Sequence, residues 1–275
     1  MSGKLLVVGT PIGNLSDFSP RAAEALAGAD FIAAEDTRVT LKLLNHFGIK
    51  KPLVSYYEHN KRERGELICS RILEGETCAL VSDAGMPAIS DPGELLVAQC
   101  AELGIPVIAV PGPSAVITAL AVSGLPTGRF TFEGFLSVNK KSRRTHLEEL
   151  KTEKRTMVFY EAPHKLPGTL RDLAEAFGDR RVALARELTK IHEEVIRTTL
   201  LQAASQYEDG GAKGEFVLVV EGAPQEGQKQ DYLLADAVTI AQNLMADGMP
   251  AAAAAKLAAQ ESGFKKSDIY RIISR

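Results

Sequence analysis

Short apolar runs alternate along the first half of the chain with stretches whose apolar residues recur at helical spacing. The runs predict strands over Lys4–Val8, Phe31–Ala34, Leu53–Ser55, Ala79–Ser82 and Val107–Val110. Helices are expected over Pro20–Ala27, Thr40–Phe47, Lys61–Leu73, Gly93–Leu103 and Ser114–Val122. Strands that are apolar nearly throughout and separated by helices predict a parallel sheet covered on both faces. The rhythm pauses at Gly124-Leu125-Pro126-Thr127-Gly128, where a domain boundary is placed, so that residues 1–124 form an N-terminal α/β domain.

A second series follows in residues 125–222. It predicts strands over Phe130–Glu133, Thr156–Tyr160, Val182–Arg186, Val195–Thr198 and Glu215–Val220, with helices over Ser142–Leu150, Lys165–Phe177 and Leu200–Tyr207. The polar stretch Glu221 to Gln230 reads as a linker to a helical tail over 231–275, with helices over Tyr232–Met245, Pro250–Gln260 and Ser267–Ile273. Pro250 suits a first helical position, Gly263 a terminator and Ser267 an N-cap. The end of the chain therefore has the pattern of a helix-turn-helix, with Lys265, Lys266 and Arg271 on or near its last helix.

Composition narrows this picture only modestly. With 275 residues, 45% hydrophobic and 24% charged, the chain has the make-up of a soluble two-domain protein. No stretch approaches the roughly 18 apolar residues of a membrane span. The apolar run after Met1-Ser2-Gly3-Lys4 is too short for a signal peptide. Cys69, Cys78 and Cys100 lack CxxC spacing, so neither a disulfide framework nor a metal site is expected, and a cytoplasmic location with free thiols is. The net charge of −3 points to no polyanionic partner, but residues 140–155 hold seven Lys/Arg against three Glu, and residues 251–275 five against two. Such local patches bind phosphates or serve as solvated helix faces.

In open parallel sheets, functional loops follow the carboxyl ends of strands. The first strand runs into GTPIGN (Gly9 to Asn14), which has neither the dinucleotide glycine spacing nor a P-loop lysine. The second runs into Glu35-Asp36-Thr37-Arg38, where Asp36 or Thr37 serves as a helix cap but Arg38 has no such explanation. The third leads to His59, and the fifth to Pro111-Gly112-Pro113-Ser114-Ala115, with Ser114 a cap or ligand donor. The fourth ends in VSDAGMPAISDPG, where Gly85 allows close backbone approach and Asp91 caps a helix with Pro92 at its first position. In the second half, Tyr160 to His164 ends one strand, and Arg186, Glu187, Lys190 and His192 cluster after another, as ion pairs or as ligand contacts. Together these loops outline a pocket for a mid-sized organic ligand rather than a bare phosphate.

Six segments in this order, VGTPIGNLSD, AAEDTR, VSDAGMPAISDPG, PGPSA, FYEAPH and RELTK, resemble the tetrapyrrole-methylase-like (class III) methyltransferases over about Lys4 to Gly222, and among these the members that act on ribosomal RNA. The resemblance implies two α/β/α domains with an S-adenosylmethionine cleft between them, a small C-terminal helical segment, and commonly a homodimer. It implies cofactor contacts at Pro11, Ile12, Asp83, Gly85, Met86, Ser114, Ala115, Tyr160, Glu161, Leu188, Ala223 and Pro224. The implied reaction is methyl transfer to the ribose 2′-hydroxyl of a decoding-centre cytidine in 16S rRNA or the 30S subunit. A ribose hydroxyl is a poor nucleophile and calls for a base; Glu35, Asp36, His59, Glu187 and Lys190 are the candidates, with Arg38 positioning phosphate or ribose. RNA backbone is expected on Lys140–Arg155 and the tail. A tetrapyrrole C-methyltransferase needs neither basic stretch, and a non-catalytic RNA-binding assembly factor needs no charged pocket rim.

Overall fold

The computed structural model describes residues 3–224, 234–246 and 248–274; the linker expected beyond 224 and the start of the helix expected from Tyr232 lie outside the described residues. The first five strands are β1 (Lys4–Val8), β2 (Phe31–Ala34), β3 (Leu53–Ser55), β4 (Thr77–Val81) and β5 (Val107–Val110). They form one sheet in the order β3-β2-β4-β1-β5, with every pairing parallel. Between and after them run α1 (Pro20–Gly28), α2 (Thr37–His46), α3 (Lys61–Leu73), α4 (Gly93–Glu102) and α5 (Ala115–Val122).

Alternate residues of a strand face opposite sides of its sheet, and both sides are buried here. Leu6, Val8, Ile32 and Ala34 pack with Leu26 of α1 and Leu44 of α2. Leu5, Val7, Phe31 and Ala33 pack with Ile68 of α3 and Leu96 and Cys100 of α4. The neighbours β1 and β4 thus send the chain to helices on opposite faces, and a crevice opens between their carboxyl ends, as at the switch points of open α/β sheets.

That crevice is pinned by main chain. The Thr10 N–H donates to the Gly85 carbonyl at 2.9 Å and the Gly85 N–H to the Thr10 carbonyl at 3.2 Å. Gly85 meets this bridge at a φ of 84°, a region open to glycine. Below it Gly9 touches Gly112, where a β-carbon on Gly9 would lie 2.6 Å from the Gly112 Cα and 2.7 Å from the Met86 sulfur.

The second sheet contains β6 (Phe130–Phe135), β7 (Thr156–Glu161), β8 (Arg181–Arg186), β9 (Glu194–Thr199) and β10 (Phe216–Val220), in the order β6-β7-β10-β8-β9. Only β6 and β7 run parallel; the other three pairings are antiparallel. Its helices α6 (Lys140–Leu150), α7 (Leu166–Phe177) and α8 (Leu200–Gln206) bury Leu147, Leu170 and Leu200 against one face. The other face receives α5, whose Val116, Ala119 and Leu120 meet Val158, Ala183 and Val219.

The chain divides into two compact units, residues up to Ala223 and from Pro224 onward. Both sheets lie in the first. In the second, α9 (Leu234–Ala246), α10 (Ala251–Ser262) and α11 (Lys266–Ile273) close around Ala237, Ala241, Ala254, Ala255 and Ala258 with Ile269. Pro250 and Lys265 occupy the N-cap positions of α10 and α11, so Pro250 stands just before the helix and Ser267 within it.

Elsewhere the sequence expectations shift by local chemistry. Helix α2 begins at Thr37 because the Asp36 carboxylate accepts the Arg38 N–H at 2.8 Å. Strand β6 continues past Glu133 through a bulge between Phe132 and Gly134. An unforeseen 3-10 turn, Leu15–Asp17, is capped by Asn14. No helix among the described residues is long and apolar enough to cross a membrane.

Adding a methyl at Gly9 drives a side chain into main chain, and overpacking of this kind costs about 1–3 kcal/mol or more. Gly9→Ala should lower the urea midpoint accordingly. Gly28→Ala, with nothing within 4 Å of the added carbon, should stabilise by no more than about 1 kcal/mol.

Candidate functional site

A cavity of about 480 Å³ opens over the crevice. The first half contributes Ile12 from the loop after β1, Glu35 from the end of β2, Ser114 and Ala115 at the start of α5, and much of the segment after β4. The second sheet closes the cavity with Phe135 from the end of β6 and Tyr160, Glu161 and Pro163 from the end of β7. Leu188 and Lys190 come from the turn after β8, and Phe216 and Val217 from the start of β10.

One wall is acidic. Glu35, Asp83 and Asp91 all line the cavity. Burial, then the charges of Asp83 and Asp91, push the Glu35 carboxyl above its ordinary value. Burial also raises Asp83, although its Oδ1 accepts the Asp36 N–H at 3.0 Å. Asp91 has a second duty: its Oδ1 accepts the Gly93 N–H at 2.7 Å and the Ala88 N–H at 2.9 Å. It therefore holds the first N–H of α4 from one position before the cap and also faces the cavity; Pro92 sits at the cap position and the helix starts at Gly93, so the expected N-cap at Asp91 with Pro92 as first helical residue is displaced by one.

The opposite wall carries the one lysine of the cavity lining. Lys190 Nζ donates to Glu187 Oε1 at 2.9 Å and to Glu215 Oε2 at 3.0 Å. Burial alone would lower its pKa, but these two hydrogen bonds outweigh that effect and raise it. The hydrogen bond from Lys190 in turn holds Glu187 below the usual carboxylate range. Lys190 is thus an ammonium at neutral pH, without a lone pair to accept a proton.

At the floor, Glu161 is buried and doubly held. Its Oε1 accepts the Ala162 N–H at 2.8 Å, and its Oε2 accepts the Thr169 hydroxyl. Thr169 Oγ1 accepts from Arg143 Nη2 at 2.9 Å, and Arg143 Nε donates to Asp172 at 2.5 Å. With its side chain only 15% exposed, Arg143 is committed inward. Beside it Tyr160 packs against Phe132 and Phe135, with ring centroids 5.0 and 5.5 Å apart.

Among the described residues, four other than glycine have left-handed backbone, and all flank this cavity. Ala88 (φ 69°) and Ser90 (φ 65°) follow β4, and Glu187 (φ 51°) and Thr189 (φ 66°) follow β8. Such conformations are uncommon and cluster at functional sites.

Of the residues expected to hold a cofactor, Ile12, Asp83, Gly85, Met86, Ser114, Ala115, Tyr160, Glu161 and Leu188 line the cavity. Ser114 makes no side-chain cap hydrogen bond. Pro11 lines a smaller neighbouring cavity of about 240 Å³, which shares Ser82 and Asp83 with the first. Ala223 and Pro224 line neither cavity. They follow the far end of β10, where the Ala223 N–H donates to the Glu153 carbonyl. Because β10 runs antiparallel to β7 and β8, its start, Phe216, is what stands opposite Glu161 and Arg186.

Of the six expected catalytic groups, Glu35 and Lys190 line the cavity. Arg38 clamps Asp36 through Nε and Nη2 at 3.0 and 2.6 Å, which brings Asp36 down to about 2. The Arg38 side chain is 87% exposed. His59 is exposed and packs edge-on to Tyr57. Glu187 acts on the cavity through Lys190. Phe135, Phe216 and Val217 went unforeseen; a Gly in a strand run was the one sequence sign of the bulge that places Phe135.

The model of the tetrapyrrole (corrin/porphyrin) methylases matches residues 4–204. "Ribosomal RNA small subunit methyltransferase I" of Halalkalibacterium halodurans is 48% identical over 272 residues, 98% of this chain and 94% of that protein. The protein of the same name from Thermotoga maritima is 51% identical over 220 residues, 80% of this chain and 99% of that protein. Among solved structures, uroporphyrin-III C-methyltransferase from Thermus thermophilus complexed with S-adenyl homocysteine shares the fold. Its TM-score is 0.57 at 18% identity, covering 80% of this chain and 97% of that one.

The acidic wall has a consequence for stability. A carboxyl whose folded pKa is raised favours the folded state below its unfolded pKa and loses that contribution as pH rises through the folded value. Glu35 and Asp83 are both of this kind, so their contribution to the melting temperature of the ligand-free protein should be lost as pH rises from about pH 4 toward neutrality, opposite in sign to that of the lowered carboxyls of Asp36 and Glu187. Asp83→Asn, which keeps an acceptor for the Asp36 N–H, should raise the melting temperature at neutral pH and flatten that dependence.

Proposed function

We propose that this chain, which belongs to the tetrapyrrole (corrin/porphyrin) methylase family, is an S-adenosylmethionine-dependent methyltransferase of small-subunit ribosomal RNA. In the finer form of the reading, it methylates the ribose 2′-hydroxyl of a decoding-centre cytidine in 16S rRNA. Near-full-length relatives bear the name of a ribosomal RNA small subunit methyltransferase. The observation that carries the reading is the donor set of the 480 Å³ cavity: apolar walls from Ile12, Met86 and Leu188, and three converging carboxylates.

Bound S-adenosylmethionine supplies an activated methyl group on a sulfonium cation. The residues present suit it, because a cation attached to an adenosine body calls for apolar surface, backbone donors and nearby negative charge rather than an anion cradle. Ile12, Asp83, Met86, Ala115, Tyr160 and Leu188 would hold it. In this reading residues 1–124 and 125–222 are the two α/β domains beside the cleft.

Glu35 takes the base role. Lys190 is held as an ammonium, Asp36 is tied to Arg38, and His59 and Glu187 do not line the cavity. A base works best with a pKa near the operating pH, and the upward push on Glu35 is in that direction. Lys190, on the opposite wall of the same cavity, is suited to orient an anionic or hydroxyl group of the acceptor.

RNA backbone is assigned to the basic stretch 140–155, with its cations sorted by the structure. Arg143 pairs with Asp172, Lys151 with Glu148 and Arg155 with Glu153. Lys140, Lys141, Arg144 and Lys154 have no ion pair among the described residues and remain for phosphate. The reading includes a cytoplasmic location and a homodimer, in keeping with edge strand β5. Val107 and Ile108 are adjacent there, so they project to opposite faces, yet both are exposed. The helical tail is an accessory in this reading, since the Thermotoga relative is covered to 99% of its length by a match of 220 residues, close to the length of the first unit, which ends at Ala223.

The deciding experiment incubates the protein and labelled methyl donor with 30S subunits, with naked rRNA and, separately, with a porphyrinoid, then maps label in the RNA by nuclease digestion. Label in a ribose of 16S rRNA is expected; label only in a porphyrinoid overturns the reading in favour of tetrapyrrole C-methylation. Glu35→Gln should lower kcat about 10²–10⁴-fold and remove the acid limb of its pH profile, with donor affinity by calorimetry retained. Lys141→Glu with Arg144→Glu should weaken RNA binding at low salt and leave donor affinity unchanged.

A further inference from the structure

The loop Thr10-Pro11-Ile12-Gly13 serves two cavities. Ile12 lines the larger one, while its neighbours Pro11 and Gly13 line the smaller, 240 Å³ one. Ser82 and Asp83 belong to both. The rest of the smaller cavity is a different surface from the first, formed by Leu15 of the 3-10 turn and by Val39, Thr40, Lys42 and Leu43 of α2. The Thr10–Gly85 bridge and the GTPIGN loop thus form a partition with a shared edge.

Resting on the proposed reading, we infer that the smaller cavity receives the target nucleoside of the RNA strand, turned out of its stack, and presents its ribose hydroxyl across Asp83. Three observations support this. Size is the first: at half the volume of the donor cavity, the smaller one is on the scale of a single nucleoside. Chemistry is the second. Leu15 and Val39 are 41% and 40% exposed and so offer apolar surface to a ligand, and splayed-out bases are bound between aromatic or apolar walls. Charge is the third. Lys42 stands in the cavity wall without an ion pair among the described residues, and Arg38, one turn earlier on α2, is largely exposed. Both would meet the phosphates flanking an extruded nucleotide. The position also suits the reaction, since an acceptor oxygen must come in line with the bond that breaks, and a cavity sharing one wall with the donor cavity supplies that approach.

Two substitutions outside the donor cavity test the assignment. Val39→Trp fills the smaller cavity from a half-exposed helical position. Methyl transfer to 30S subunits should fall about 10²-fold, with donor affinity by calorimetry within a factor of about two of wild type. Lys42→Gln should weaken binding to 16S rRNA fragments in a fluorescence assay. The slope of log affinity against log salt should become shallower by roughly one. Unchanged transfer by Val39→Trp, loss of its donor affinity, or an unchanged salt slope for Lys42→Gln each overturns the inference. Should Val39→Trp fail to fold by circular dichroism, the salt slope decides alone. If the wild type labels no rRNA, the reading beneath the inference falls and takes it along; if the wild type labels and both variants behave like it, the inference alone falls.

Discussion

Two hydrogen bonds between Thr10 and Gly85 hold together the ends of strands that would otherwise part. In a parallel sheet the chains leaving β1 and β4 diverge to opposite faces, and nothing in the ladder itself ties their loops. The bridge does so, at the cost of a left-handed residue at position 85 and of a bare main-chain contact between Gly9 and Gly112. Everything that faces a ligand hangs from that tie: Ile12 on one side, Pro11 and Gly13 on the other, Asp83 between.

Electrostatics then divides the enclosed space. Burial raises the proton affinity of Glu35 and Asp83, and the charges of Asp83 and Asp91 raise that of Glu35 further, whereas across the cavity Lys190 is neutralised by Glu187 and Glu215. The asymmetry is what matters. A positive ligand relieves repulsion on the first wall, and the second is already satisfied. Isolated buried like charges are unfavourable, so the acidic wall is best understood as stability given up for binding a cation.

Much of this was legible in the sequence, and the reasons for the gaps are specific. The ten strands and eleven α-helices of the described residues leave a periodic trace, because a strand buried on both faces needs an apolar run and a helix needs a stripe. The loops after β1, β2 and β4 stood out because aspartate, glycine and proline have few other uses directly after such runs. Strand direction leaves no such trace. The seven residues between Arg186 and Glu194 do require an antiparallel pair, being too short for a crossover. Nothing comparable marks β10, and the Ala223–Pro224 expectation failed to reach the cavity for that reason. Nor does composition distinguish a cation that faces solvent from one folded inward: Arg143 and Arg144 are neighbours in the same basic stretch, yet one supports Glu161 through Thr169 and the other is exposed.

The outline of the larger cavity is set by main chain, through left-handed turns at Ala88, Ser90, Glu187 and Thr189 and through the glycine contact beneath the bridge. A main-chain outline of this kind is not altered by exchanging side chains on the far side of the partition. Lineages carrying this fold are then free to exchange Val39, Lys42 or Leu15, on the acceptor side of the partition, without recasting the donor side. Substrate preference and methyl-donor chemistry become separately heritable traits of one polypeptide, divided at the width of a single loop.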